Sequence, residues 1–134
     1  MTTRTPAAVA KAGAIFASAA ITLTALAAPA YANSFTQRVY QGTVSYDDGQ
    51  DRFCVRADET GIQDRAVIDV TLTPYDSSRG PVVHVGDTDS AGAHCASLAT
   101  AYEDTHYKAV IKSLTHFDRL GGSTYETTTL SFYS

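Results

Sequence analysis

The stretch Arg65-Ala66-Val67-Ile68-Asp69-Val70-Thr71-Leu72-Thr73 decides the fold class. Ala66, Ile68, Val70 and Leu72 fall on one side of an extended chain, and Val67, Asp69, Thr71 and Thr73 on the other. A period of two marks a strand with one face in a core, because successive side chains point to opposite faces of a sheet. β-branched residues on both sides suit a pleated surface better than a helix.

The same alternation recurs outward from this stretch. Arg52 to Ala57 sets Phe53, Val55 and Ala57 against Arg52, Cys54 and Arg56, and Asp58-Glu59-Thr60-Gly61 adds turn chemistry. We expect these two segments to form a hairpin. Ser34 to Tyr46, with Gly42 inside it, reads as one bent strand or two short ones. Downstream, Pro74 to Pro81 is a loop bracketed by prolines, Val82 to Val85 a short buried strand, and Gly86 to Gly92 a polar loop. Cys95, Leu98, Ala99 and Tyr102 fall at i, i+3, i+4 and i+7, which predicts one short helix near 95–105. Tyr107 to Phe117 carries apolar residues on both faces, as a central strand does, and Ser123 to Tyr133 returns as a threonine-rich strand.

About seven strands at this spacing predict an all-β protein, a small antiparallel β-sandwich. It resembles immunoglobulin-like domains in architecture alone, since the chain has no tryptophan to pack on a bridge between sheets. Cys54 and Cys95 are the two cysteines, with one possible pairing, so we expect one intrachain disulfide that crosses between the sheets. Their separation suits a structural bridge rather than a redox pair, which takes the tighter C-x-x-C form.

Residues 1–32 read as a cleavable secretory signal, and 33–134 as the single mature domain. Arg4 and Lys11 precede the apolar run Gly13 to Ala28, and Ala30-Tyr31-Ala32 is an A-x-A cleavage site before Asn33. The run is about 16 residues, short of the roughly 20 that a membrane span requires. The expected location is therefore secreted and extracellular, with no membrane attachment after cleavage. The chain has 10 basic and 14 acidic residues, and loss of Arg4 and Lys11 leaves the mature part at about −6. Without a positive field, nucleic acid is not an expected partner.

Chemistry-bearing motifs are sparse. Asp87, Asp89 and Gly92 match three positions of a calcium loop, but Ala91 and Leu98 stand where that loop needs oxygen ligands. Asp87 and Asp89 are thus weak metal candidates beside a solvated-turn reading. His84, His94, His106 and His116 lack the short spacing that sets two zinc ligands on one element. Glu103-Asp104 is an adjacent acidic pair, and no G-x-S-x-G elbow marks a nucleophile. We expect no cofactor and no catalytic residue.

Tyrosine is the remaining enrichment, and Tyr75, with Asp76 and Arg79, sits on the loop held by Pro74 and Pro81. Half-exposed sheet surfaces use tyrosine beside threonine, and so do binding faces. The reading that follows is a non-enzymatic binding module that recognises an extracellular protein or surface glycan through its loops, with Tyr75, Asp76 and Arg79 as the site. A small secreted enzyme or enzyme inhibitor is one alternative. A structural cell-surface protein that self-associates through the strand Ser123 to Tyr133 is another.

Overall fold

The computed structural model describes residues 33–60, 64–88, 91–118 and 121–134. The segment read as a signal, with its expected cleavage site, falls outside the described residues, as does Asp89. Among the described residues the chain is all-β, with strands β1 (Phe35–Val39), β2 (Gly42–Asp47), β3 (Arg52–Ala57), β4 (Asp64–Pro74), β5 (Val83–Thr88), β6 (His94–Ser97), β7 (His106–Phe117) and β8 (Gly122–Tyr133). They form two antiparallel sheets of four strands each, ordered β1-β2-β3-β6 and β5-β4-β7-β8.

Alternation fixes which residues meet between the sheets. Val44, Tyr46, Phe53 and Val55 point inward from the first sheet, and Ala66, Ile68, Val70, Leu72, Tyr107, Ala109 and Ile111 from the second. Burying each large aliphatic side chain contributes about 1.5–3 kcal/mol. Phe132 is the hub at one end of this core, with ring centroids 4.8 Å from Tyr46, 5.5 Å from Phe35, 5.5 Å from Phe53 and 5.8 Å from Tyr107.

Residues 34–46 make two strands rather than one. The chain turns at Tyr40-Gln41, with Gln41 in the left-handed region at φ 59°. Gly42 then opens β2 against the core, where an added Cβ would lie 2.2 Å from the Arg56 carbonyl oxygen and 2.3 Å from Ile68 Cδ1. β7 is central as expected, flanked by β4 and β8.

Three expectations are corrected. β3 and β4 are not a hairpin, because they lie in different sheets. Both have one apolar face, and the chain packs those faces against each other across the core instead of side by side. No helix forms near 95–105. His94–Ser97 is strand β6, paired with β3, and of the residues at helical spacing Leu98 is buried while Tyr102 is exposed. The disulfide does form, but within one sheet: Cys54 and Cys95 are register partners on β3 and β6, with Cα atoms 4.0 Å apart. Phe53 and Val55 point into the core, so Cys54 between them turns to the outer face.

One boundary also moves. The strand read as Val82 to Val85 extends to Thr88, which takes Asp87 out of the polar loop and buries it. Its Oδ2 accepts a hydrogen bond from the Ala57 N–H at 2.7 Å, tying β5 to the other sheet, and Oδ1 stands 3.3 Å from His94 Nδ1.

Candidate functional site

β4 leaves the sheet at Pro74, and the alternation carries Tyr75 onto the outer face. The Tyr75 N–H donates to the His106 carbonyl at 2.9 Å, and His106 is the register partner of Tyr133 on β8. Tyr75, His106 and Tyr133 therefore form one row across three strands. Their rings stack at 4.3 Å and 4.5 Å, close to the strand spacing, so both faces of the imidazole are covered. The Tyr75 hydroxyl lies 3.3 Å from Ser131 Oγ.

The loop that follows is held by its own polar groups. Asp76 accepts hydrogen bonds from the Ser78 N–H at 2.9 Å and the Ser78 hydroxyl at 2.6 Å, and its carbonyl accepts the Arg79 N–H at 3.0 Å. These bonds from Ser78 hold the Asp76 carboxyl below the usual carboxylate range. Arg79 is exposed but tied to the neighbouring loop: its guanidinium donates to the Glu103 carbonyl at 2.7 Å, and its own carbonyl accepts the Tyr102 N–H at 2.8 Å. Thr105 adds hydrogen bonds from its hydroxyl to the Tyr102 and Arg79 carbonyls. Loops 75–82 and 98–105 are thereby lashed together.

Gly80 makes the seam possible. A Cβ there would stand 2.2 Å from the Tyr107 hydroxyl, which is buried beneath the loop and donates to the Pro81 carbonyl at 3.2 Å. Burial pushes the Tyr107 hydroxyl up from its ordinary pKa.

The three residues singled out on the loop thus come to one end of the sandwich with unequal roles. Tyr75 is 60% exposed, while the Asp76 and Arg79 side chains are engaged within the loops. Sequence reading missed three neighbours at this end: Tyr102 at 67% exposure, Val82 at 55% and Tyr133 at 48%. Among the described residues, four of the five exposed large hydrophobic side chains belong to it, the fifth being Tyr125. Tyr133 was within reach of the alternation, since it falls on the outward set of its strand; Tyr102 carried no such signal, because its segment reads as helix.

The other candidates do not assemble into a centre. Among the described residues, no three of His, Cys, Asp and Glu cluster as metal ligands. Glu103 and Asp104 are exposed in the loop, and Asp104 takes a left-handed φ of 57°. His84 Nδ1 lies 3.1 Å from Thr71 Oγ1. Ser123 Oγ lies 3.0 Å from His116 Nδ1, and His116 Nε2 3.5 Å from Asp118 Oδ1. That last chain resembles a nucleophile with its base, but the His116 and Asp118 side chains are 49% and 43% exposed, where water screens the preorganised field that catalysis needs.

No helix among the described residues is long and apolar enough to cross a membrane. Comparison with protein-family models, curated proteins and solved structures finds no match.

Proposed function

We propose that the chain is exported and that its folded domain is a non-enzymatic binding module, engaging an extracellular protein through the end formed by Tyr75, Val82, Tyr102 and Tyr133. The observation that carries this reading is the concentration of exposed large side chains on two hydrogen-bonded loops and the adjoining end of β8. Tyrosine contributes large contact area with few torsions to freeze, and a preformed backbone lowers the ordering cost of association. The A-x-A site and the disulfide support export to an oxidising compartment.

A protein surface suits this end because Tyr75, Val82, Tyr102 and Tyr133 are the large side chains that the centres of protein interfaces use.

The test is capture of a partner from culture fluid and cell envelope by the immobilised protein, washed at high salt, with a Tyr75→Ala/Tyr102→Ala variant alongside. One stoichiometric partner retained by the parent and lost by the variant supports the proposal. Equal retention by both would remove the site, and a chain found only inside the producing cell with residues 1–32 still attached would remove the export reading.

A further inference from the structure

The four edge strands of the sandwich differ in how they are closed. β5 and β6 are short, at 6 and 4 residues, and face each other, with the β5 residue Asp87 bonded to Ala57 and His94 Nδ1 3.1 Å from the Gly86 carbonyl. β1 has 5 residues and carries Arg38, ion-paired with Asp58. β8 has 12 residues, reads GSTYETTTLSFY, and holds one charge, Glu126, with no lysine and no proline. Edges of that length are ordinarily blunted by charge, proline or a bulge.

Hydrogen-bond parity shows what β8 presents. Thr105 and Ser134 exchange two backbone bonds, at 3.1 Å and 3.0 Å, which fixes the ladder phase between β7 and β8. Bonded pairs alternate in an antiparallel ladder, so even-numbered residues of β8 bond to β7. The N–H and C=O groups of Ser123, Tyr125, Thr127, Thr129, Ser131 and Tyr133 therefore point to the free edge.

We infer that this edge pairs with β8 of a second copy of the chain, antiparallel about a twofold axis at Thr128, joining two four-stranded sheets into one of eight. In this register Ser123 pairs with the partner's Tyr133, Tyr125 with the partner's Ser131 and Thr127 with the partner's Thr129. All the outward residues find outward residues, giving about a dozen hydrogen bonds. Shifting by one residue would set outward groups against inward ones. Thr128 meets the partner's Thr128 in a non-bonded pair, and Glu126 meets the partner's Leu130. The two Glu126 carboxylates then stand about 13 Å apart along the strands, beyond the ~8 Å screening length at physiological salt. A second copy is the occupant that the strand itself fits, because in this register the sequence, with its single charge set off the twofold axis, is complementary to its own reverse.

Sedimentation of protein purified from a host expressing the full chain, disulfide intact, tests this. The expected result is a concentration-dependent dimer. Thr129→Lys puts a charge on the edge, and Thr127→Pro removes one outward N–H without touching the β7 ladder; each should weaken the dimer about tenfold or more with an unchanged circular dichroism spectrum. Thr128→Cys should cross-link on mild oxidation, while Thr88→Cys on β5 should not. A strict monomer up to millimolar concentration would overturn the inference, as would dimers unaffected by Thr129→Lys, a folded Thr128→Cys dimer that fails to cross-link, or equal cross-linking by Thr88→Cys.

Discussion

The two long sides of the sandwich are closed by different chemistry. On the β5/β6 side the links between the sheets are polar, the Asp87 carboxylate on the Ala57 N–H and His94 on the Gly86 carbonyl, while the Cys54–Cys95 bridge pins β6 to β3 within its own sheet. On the β1/β8 side a groove lined by Ser34, Phe35, Gln37, Leu130 and Phe132 separates the edges. Aromatic packing of Phe132 on Phe35 closes one end of that side, and the Tyr40 hydroxyl, 3.0 Å from Thr124 and accepting from Thr115 at 3.2 Å, closes the other. One side is fixed by directed bonds and the other by contact area, which leaves the second side free to expose backbone.

Substitutions that remove one closure at a time separate these two modes. Phe132→Ala removes the ring on which four other aromatic residues pack and should cost about 3–5 kcal/mol in urea unfolding. A loss under 1 kcal/mol would mean that the β1/β8 side is held by something other than this packing. Replacing both cysteines by serine should cost about 2–4 kcal/mol, by releasing a bridge between residues 41 apart in sequence. Because the bridge lies on the outer face of a sheet, the fold should survive at low temperature, with the backbone spectrum unchanged.

Asp87→Ala leaves the buried Ala57 N–H without its acceptor and should cost about 1–3 kcal/mol, whereas Asp87→Asn, which keeps an acceptor oxygen, should cost less. The smallest effect at neutral pH is zero by construction and appears only in alkali. Burial pushes the Tyr46 and Tyr107 hydroxyls up from their ordinary value of 10.0. A raised pKa in the folded state means full stability below pH 10 and loss as pH rises toward the folded value. Unfolding free energy should thus be flat with respect to these two groups at neutral pH and fall in strong alkali, read by tyrosinate absorbance; Tyr46→Phe should shallow the fall.

How much of this was legible in the sequence depended on how local the cause was. Arg65 to Thr73 and Tyr107 to Phe117 read correctly as strands because burial of one face is written into the alternation; β7 is central through its neighbours β4 and β8, although only one of its faces is buried. The hairpin reading of β3 with β4 failed because alternation tells which face is buried and not which strand lies beside it. Cys95 to Tyr102 imitated a helix, yet pairing of β6 with β3, 41 residues away at the cysteines, overrode the local spacing. At the candidate site, Pro74 and Pro81 correctly marked the loop that carries Tyr75. That Arg79 would be consumed by the Glu103 carbonyl depended on a second loop whose approach no local pattern encodes.

The strand order also sets a timetable. β3 is made before β4 and β5 but waits for β6 to pair with it, and β4 waits for β7, so neither sheet can be completed from consecutive segments. Topologies dominated by such distant pairings fold in milliseconds to seconds rather than microseconds. The sheet that carries the tyrosine end lacks its last strand until residues 122–133 have joined. Until that strand is made, the core also lacks Phe132, the ring on which Tyr46, Phe53 and Tyr107 pack, so the two sheets have no aromatic contact at that end to hold them together.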